Sequence, residues 1–275
     1  MIDVIIPTYN AHETIDKTLM SIAMQDYADK LKVYIVNDAS KEDYQSQVEC
    51  FSKFLNIQEL KIEKNQGPGY ARQYGIDHSY SDYIIFIDSD DVLLNFQAVT
   101  QLYKQITSGD YDVVSGVFFE ELDENFHKHC NDTIFMHGKI YKRKFLLDNK
   151  IHFNNTYSNE DNGFNSLIIL HEGKIKFIDD EIYVWRNNKN SITRRNNHEY
   201  SFMGIEGYIY NIKWAVPLCK LYLEYPPTEE KKNELFWSLF NQNLDRINNS
   251  KLINPILTFD QFIDKVMKYD SSNVL

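Results

Sequence analysis

The acidic segment that follows residues 83–87 is the part of the chain best suited to chemistry. Three carboxylates lie within four positions, at Asp88, Asp90 and Asp91, directly after an apolar run typical of a buried strand. Because like charges repel, such a cluster is best tolerated where a cation or water lies among the carboxylates. The segment therefore predicts a metal site at the end of a strand. The alternative is a solvated turn in which an aspartate caps a helix over residues 93–106.

Polar segments also follow three other apolar runs in the first half of the chain. In open parallel sheets, ligands bind outside the carboxyl ends of the strands, so these segments are candidates for one shared site. In the last of them, Gly67 and Gly69 lack the spacing and acidic partner of a dinucleotide-binding fingerprint, which argues against a Rossmann dehydrogenase. The three segments are residues 7–10, 37–40 and 65–72.

The spacing of apolar residues predicts the elements that position these segments. A helix over residues 15–22, with Asn10 as its N-cap, is expected after the first strand. A weaker strand over residues 57–62 leads to a helix over residues 68–78. Continuous apolar runs, typical of buried parallel strands, occur at residues 4–6, 33–36 and 84–87.

The second half of the chain is less regular. Residues 120–159 show no clear pattern, and beyond His198 the apolar residues step by three and four, which predicts helices. We therefore expect an α/β fold with a mostly parallel sheet flanked by helices over residues 1–198, and a helical C-terminal extension over residues 199–275. The other elements expected are helices over residues 96–106 and 161–171, and strands over residues 113–119, 174–178 and 182–185.

Composition narrows the class of protein. The 275 residues are 43% hydrophobic, enough for one large packed domain, and their formal net charge of -11 argues against nucleic acid as a partner. No run approaches the roughly 20 apolar residues of a transmembrane helix, and the chain opens into a strand without a signal-peptide pattern. The three widely spaced cysteines lack metal-ligand spacing and predict buried free thiols in a reducing cytoplasm.

Together, the motifs resemble those of the nucleotide-sugar glycosyltransferases of family 2, which have the GT-A fold. They occur in the family's order and approximate spacing, and they cover about the first 195 residues of the chain. The resemblance implies a nucleotide-diphosphate sugar as the substrate that donates the sugar. The matching segments are residues 4–10, 35–40, 65–72, 87–91 and 160–161.

The resemblance also implies how the nucleotide sugar is bound. Asp38 corresponds to an acid that hydrogen-bonds the nucleobase in the family, and a carboxylate can accept the imide N–H of uracil, so we expect UDP. Asn37 replaces the first acid of the family's usual pair. The same resemblance assigns nucleotide-sugar binding to Pro7, Thr8, Tyr9, Asn10, Gly67, Arg72 and Ser89.

Within the acidic segment, the resemblance gives the three carboxylates different functions. Asp90 corresponds to a ligand of Mn²⁺ or Mg²⁺ that bridges the diphosphate, and Asp88 lies near the ribose or the metal. Asp91 either positions the sugar or caps the next helix. The bound ion is expected to offset the charge that develops on the departing nucleoside diphosphate.

Glu160 and Asp161 resemble the family's acidic motif at the start of the helix on the acceptor side. Asp161 is the expected general base, which takes the proton of the acceptor hydroxyl as that hydroxyl attacks the anomeric carbon with inversion. Glu160 is the alternative base or an acid that contacts the sugar. Acids at a helix N-terminus also fit the helix dipole without any catalytic function.

A polar and basic segment over residues 186–195 lies where family members often carry a loop that closes on the diphosphate. Arg186 and Ser191 are expected to bind the nucleotide sugar there. Members often place a histidine near this loop as a further metal ligand, and residues 185–188 contain none. Metal coordination is therefore expected to rely on the acidic segment, the phosphates and water.

We therefore predict a metal-dependent, inverting glycosyltransferase that transfers a sugar to an acceptor hydroxyl. One alternative is a nucleotidyltransferase acting on a sugar phosphate, but residues 7–14 lack its glycine-rich, basic signature. The other is a non-catalytic carbohydrate- or partner-binding module, against which the intact acids argue. The acceptor class stays open, a modified nucleobase included, and the helical tail is expected to pack on the core or to form a homodimer.

Overall fold

A computed structural model describes residues 1–122, 125–153 and 159–188. Over these residues the chain forms one sheet with helices packed against it. The predicted helical extension over residues 199–275, the homodimer through it and the domain boundary after residue 198 lie outside this part of the chain.

The first half of the chain alternates strands and helices, as predicted. Strands β1 (Ile2–Thr8) and β2 (Leu31–Asp38) are buried along almost their whole length, which is typical of central parallel strands covered on both faces. Helix α1 (Ile15–Ala23) between them buries Leu19 and Ile22. The other elements of this half are a 3-10 helix Ala28–Lys30, α2 Gln45–Phe51, β3 Asn56–Ile62, α3 Pro68–Asp77 and β4 Tyr83–Phe86.

The second half contains more regular structure than predicted. Among the described residues of the range 120–159, which was predicted to be irregular, lie two further strands and a helix. Their strands lack the apolar pattern of the first half, since one is mostly exposed and the other begins and ends with lysine. The two strands expected at residues 174–178 and 182–185 form a single strand. The elements are β5 Val92–Leu93, α4 Ala98–Thr107, β6 Val113–Leu122, β7 Asn125–His129, β8 Lys139–Lys142, α5 Arg143–Asp148, α6 Glu160–Leu170 and β9 Ile175–Trp185.

Within the described residues, the strands join in the order β3-β2-β1-β4-β8-β6-β9-β5, and β7 pairs with β6. Strands β3, β2, β1 and β4 are parallel, whereas β8 runs antiparallel to both of its neighbours. The register pairs Thr8 with Asn37 and Ile5 with Phe86. Strands β1, β2 and β4 therefore end at the same edge of the sheet, and the predicted α/β class is confirmed.

Apolar side chains form a cluster on each face of the sheet. On one face, Val4 and Ile6 pack with α1 and α4, and on the other face Ile5 packs with residues of α3 and α6. Gly75 lets α3 approach β1 closely, because a Cβ at this position would overlap the Ile5 side chain. This close packing fixes α3, which carries Arg72, over the sheet.

The prediction that Asn10 caps the first helix is wrong. Helix α1 begins at Ile15 with Thr14 in the N-cap position. Asn10 has a left-handed φ of 52°, a conformation that asparagine tolerates better than most residues. Its backbone N–H donates to Ser40 Oγ at 2.9 Å, and its Oδ1 accepts from the Lys41 amide at 3.0 Å. Asn10 therefore ties the loop after β1 to the loop after β2.

The helix expected from residue 93 begins later, at Ala98. Val92 and Leu93 instead form β5, which pairs with β9, so Asp91 does not cap a helix. The predicted burial of the cysteines is also wrong for Cys50 and Cys130, which are exposed free thiols. In the part of the chain that the structure describes, no helix is both long enough and apolar enough to cross a membrane.

Candidate active site

The acidic segment after β4 is held by specific partners and is not a solvated turn. Asp91 is completely buried, and it accepts hydrogen bonds from Tyr183 Oη at 2.6 Å and from the Arg186 amide at 2.8 Å. Asp90 Oδ2 accepts from Asn188 Nδ2 at 2.7 Å. The carboxylate of Asp88 remains partly exposed. The end of β9 therefore closes one side of the acidic segment.

Asp88 and Asp91 share a possible metal-binding arrangement with His137. One oxygen of each carboxylate and one ring nitrogen of His137 all lie within 4.8 Å of one another. Burial, together with the charges of Asp90 and Asp88, raises the pKa of Asp91 well above its usual range. A cation placed here would favour the charged form of Asp91.

His137 is suited to ligation because it is neutral in this environment. Burial lowers its pKa to about 4, so at neutral pH one ring nitrogen keeps its lone pair. The ring stacks on Tyr183, with the centroids 4.9 Å apart, and lies 5.0 Å from the Trp185 ring. Two carboxylates and an imidazole form a donor set that fits Mn²⁺, although both Asp91 oxygens already accept hydrogen bonds.

Sequence reasoning missed His137. A histidine ligand was sought near residues 185–188, whereas His137 precedes β8 in the stretch that was predicted to be irregular. The one available signal was the pair His137-Gly138 before an apolar strand, and Gly138 has a φ of 64° that favours glycine. Asp90, the predicted metal ligand, is not part of the three-residue group, whereas Asp88 is.

Arg72 lies between the acidic segment and helix α6. Its Nη2 is 2.5 Å from Asp88 Oδ1, and its Nη1 is 2.5 Å from Glu160 Oε1. The side chain is buried, and its guanidinium lies 5.8 Å from the centre of the Phe153 ring. Nε has no hydrogen-bond partner among the described residues. The guanidinium, predicted to reach the nucleotide, is thus shared by two carboxylates.

Glu160 and Asp161 begin helix α6 after Asn159, which has a left-handed φ of 59°. The two carboxylates differ in environment. The Glu160 side chain is 8% exposed and paired with Arg72, whereas Asp161 is only partly buried and its Oδ1 accepts from the Asn162 amide at 2.7 Å. Burial and the neighbouring Glu160 raise the pKa of Asp161 to about 7. A carboxylate with this pKa can accept a proton at neutral pH.

Asp38, the predicted nucleobase ligand, is buried and holds the loop before α3. Its Oδ1 accepts from the Gln66 amide at 2.9 Å, and its Oδ2 accepts from the Gly67 amide at 2.7 Å. Burial raises the pKa of Asp38, while the two amides favour its charged form. Gly67 has a φ of 90°, and Pro68 follows as the first residue of α3. Asp38 therefore sets the start of the helix that carries Arg72.

Asn37, which replaces an acid of the family's usual pair, lies beside a carboxylate from β3. Its Nδ2 donates to Glu59 Oε1 at 2.7 Å, and its Oδ1 accepts from the Ser40 amide at 2.8 Å. An aspartate here would place two carboxylates in contact. Glu59 also accepts from the Tyr44 amide, so the asparagine completes a network that holds the loop after β2.

The remaining predicted residues of the first half surround the same sheet edge. Thr8 is buried and donates to the Val36 carbonyl at 3.0 Å, whereas the ring of Tyr9 is 55% exposed and accessible to a ligand. Pro7 is part of the buried strand β1, and Ser89 lies between Asp88 and Asp90. Thr8 therefore joins the two strands, and Tyr9 is exposed at the same sheet edge.

Part of the predicted closing loop is described. Arg186 follows β9, its amide bonds to Asp91, and its Nε lies 4.0 Å from Glu121 Oε2. Ser191, also predicted to bind the nucleotide sugar, lies outside the described residues. The structure thus gathers Asp88, Asp90, Asp91, Arg186 and the two acids of α6 around Arg72 and the end of β9, with Asp38 at the start of α3.

A sheet of this topology, with acids at the ends of its parallel strands, is an arrangement seen in GT-A-type glycosyltransferases. The chain belongs to glycosyl transferase family 2, whose family model matches residues 3–159, more than half of its length. The protein is therefore a glycosyltransferase, as the sequence motifs predicted.

Curated relatives are similar over part of their lengths. "Glycosyltransferase GlyG" of Streptococcus pneumoniae serotype 4 is 26% identical over an alignment of 222 residues, and the match covers 70% of this chain and 73% of GlyG. The poly(ribitol-phosphate) beta-N-acetylglucosaminyltransferase TarS of Staphylococcus aureus strain Mu50 is 27% identical over an alignment of 199 residues, and the match covers 66% of this chain. The match spans only 35% of TarS.

Solved structures with the same fold include the crystal structure of S. aureus TarS 1-349 in complex with UDP-GlcNAc. It has a TM-score of 0.75 at 21% identity, and the match covers 96% of this chain and 79% of that one. The mannosyltransferase PcManGT from Pyrobaculum calidifontis in complex with GDP-Man and Mn²⁺ has a TM-score of 0.60 at 16% identity, covering 97% and 84%. These likenesses confirm the GT-A-type fold.

Proposed function

We propose that this glycosyltransferase moves a sugar from a nucleotide-diphosphate sugar, UDP-linked, to an acceptor hydroxyl with inversion, and that it requires Mn²⁺ or Mg²⁺. One observation carries the proposal. At one edge of the sheet, Asp88, Asp91 and His137 form a set of ligands that suits a cation. On the other side of Arg72 lies the separate carboxylate of Asp161, whose pKa of about 7 suits a base.

The choice of UDP has two supports. The TarS structure of the same fold is a complex with UDP-GlcNAc. In this chain the Asp38 carboxylate accepts one backbone hydrogen bond on each oxygen, which leaves further lone pairs for an imide N–H. The exposed ring of Tyr9 supplies a surface for the nucleoside at the same edge.

The metal would be held by Asp88, Asp91 and His137, with Asp90 as a further ligand as the family resemblance implies. When bound, the ion supplies Lewis-acid stabilisation of the leaving diphosphate. An imidazole among the ligands favours Mn²⁺ over Mg²⁺, because Mg²⁺ prefers oxygen ligands and keeps several waters. PcManGT, which shares the fold, is a complex with Mn²⁺.

Asp161 serves as the general base in this proposal. Asp161 is a partly exposed residue that pairs with no cation in the described contacts, whereas the Glu160 side chain is buried against Arg72, so we take Asp161 as the acid of the pair that an acceptor can reach. It would take the acceptor proton while the hydroxyl attacks the anomeric carbon opposite the diphosphate. A direct displacement of this kind inverts the anomeric configuration.

The test is UDP release from UDP-GlcNAc, in which water takes the place of the acceptor hydroxyl, measured with and without Mn²⁺, together with UDP binding by calorimetry. We expect wild-type release that stops when Mn²⁺ is chelated. Asp161→Asn should slow it by about 10²- to 10⁴-fold, the usual contribution of a general base, with UDP affinity unchanged. Asp148→Asn, on the exposed end of α5, is the matched control and should behave as wild type.

His137→Gln addresses the metal within the same experiment. It should weaken Mn²⁺ binding, measured by calorimetry without nucleotide, more than it weakens Mg²⁺ binding. If UDP release persists in the presence of a chelator, the protein does not require the metal. If Asp161→Asn releases UDP as fast as wild type, Asp161 is not the base.

A further inference from the structure

The Arg72 side chain touches both the acidic segment and helix α6, which carries the proposed base. Its two terminal nitrogens each contact a different carboxylate, Asp88 after β4 and Glu160 on α6. These partners lie 16 and 88 positions away in the sequence. The guanidinium is buried, and the ion pair with Glu160 is shielded from water on both sides, whereas Asp88 is partly exposed.

The ion pair gives Glu160 and Asp161 different chemistry although they are adjacent. One oxygen of Glu160 is bound to Arg72, and burial closes that carboxylate to an acceptor. Asp161 is partly exposed and has a backbone amide, not a cation, as its hydrogen-bond donor. If Arg72 were absent, the carboxylates of Asp88, Glu160 and Asp161 would lie near one another without this cation, and their titrations would be coupled.

We propose that Arg72 is a positioning residue that assigns the base: by holding the Glu160 carboxylate in a buried ion pair, it leaves the Asp161 carboxylate to take the acceptor proton. This inference rests on the proposed function, and it adds a residue that acts through the acids and does not touch the reacting atoms. The same contact ties helix α6 to the segment that binds the diphosphate.

The charged groups around Asp161 come from three other parts of the fold. Arg72 on α3 lowers its pKa, while Glu160 on its own helix and Asp88 after β4 raise it. Strand β8 contributes Lys139 and Tyr141, both of which interact electrostatically with Asp161. The charge of Lys139 is already balanced by a carboxylate, since its Nζ lies 2.7 Å from an oxygen of Asp132.

Two substitutions should therefore move the pH–rate profile in opposite directions. Glu160→Gln removes the negative charge beside Asp161, can still accept from Arg72, and should shift the acid limb to lower pH. Arg72→Lys keeps a positive charge but cannot contact both carboxylates at once, so the limb should shift to higher pH. Each shift should be about one unit, or about tenfold in rate on the acid limb.

The experiment measures UDP release from UDP-GlcNAc with saturating Mn²⁺ between pH 5.5 and 9, for each variant and for Arg72→Lys/Glu160→Gln. The double variant should return the acid limb towards its wild-type position. Asp148→Asn and Lys144→Gln, which alter an exposed ion pair on α5, are matched controls and should not shift the limb. Circular dichroism checks that each variant folds.

The results separate the two proposals. An inactive wild type contradicts the proposed function, whereas an active wild type whose folded variants show no shift, or shifts in the same direction, overturns the inference alone. Loss of release in Glu160→Gln with retention in Asp161→Asn also overturns it, because Glu160 would then be the base. If Arg72→Lys does not fold, Glu160→Gln decides the outcome by the direction of its shift.

Discussion

Two acids at the same sheet edge are balanced in different ways. Asp38, at the end of β2, is met by two backbone amides of one loop. Asp88, after β4, is met by the Arg72 guanidinium, which also serves Glu160. The backbone amides stay in place whatever side chains surround them, whereas one substitution can remove the guanidinium from both acids.

The site should tolerate substitution at Asp38 better than substitution at Arg72. Asp38 is part of the scaffold, because the backbone amides of the loop between β3 and α3 satisfy its charge. The network at Arg72 is adjustable, because a single cation sets the charge balance of several carboxylates. Substitutions of Arg72 should therefore have larger effects than substitutions of Asp38.

The largest effect is expected for Arg72→Met. Removing one partner of a buried ion pair leaves uncompensated charge, which typically costs about 3–5 kcal/mol of unfolding free energy. Urea denaturation followed by circular dichroism measures this cost. Lys144→Met on α5, whose partner Asp148 is exposed, is the control and should change stability little.

A second variant tests whether the lost stability comes from the carboxylates that Arg72 leaves unpaired. In Arg72→Met/Glu160→Gln one of the two stranded charges is gone, so part of the lost stability should return. A cost below about 1 kcal/mol for Arg72→Met would contradict a buried network, since that value is typical of exposed pairs.

Asp38→Asn should cost less, about 1–3 kcal/mol. The asparagine side chain has the same size as that of aspartate, but an NH₂ group replaces one of the two acceptor oxygens. This group would face the backbone N–H of Gln66 or Gly67, so that one hydrogen bond is lost. Urea denaturation gives the stability, and calorimetry gives the UDP affinity, which should fall as well. Asp43→Asn, in the exposed loop after β2, is the control. A cost larger than that of Arg72→Met would reverse the comparison.

The parallel half of the fold could be predicted because three of its four strands, β1, β2 and β4, contain continuous apolar runs followed by polar residues. That pattern and the family's motifs together predicted the polar segments at the strand ends, and with them Asp38, Asp88 and Asp161. Strands β7 and β8 could not be predicted, because exposure and terminal lysines hide their pattern. Such strands form through pairing with β6 and β4, which a local pattern does not record.

The partners of the site residues were less predictable than the residues themselves. Arg72 was expected to reach the nucleotide, and nothing in its neighbourhood indicates Glu160, which packing of α3 and α6 on one face of the sheet brings to it. His137 joins Asp88 and Asp91 from the turn just before β8, a strand that the sequence did not reveal. Contacts between distant segments decide the electrostatics, whereas motifs decide only which acids are present.

The smallest effect is expected for Asp161→Asn, on the pH dependence of the free energy of unfolding. The pKa of Asp161 is about 7 in the folded chain and about 3.9 when unfolded, so its neutral form favours the folded state. Its stabilising contribution is fully present below about pH 4 and is lost as pH rises through about 7. Asp161→Asn lacks this titration. The stability of the variant relative to wild type should therefore increase between pH 5 and pH 8.

We expect this relative gain to be about 1 kcal/mol, because Asp161 is a partly exposed residue and solvent screens part of its interactions. Urea denaturation of both proteins at pH 5 and at pH 8 measures it, and titrations of the other groups largely cancel in the difference. A difference that does not change with pH would mean that Asp161 is ionised at pH 5. Arg72 would then balance Asp161 as well as Glu160, and the two acids of α6 would not be distinct.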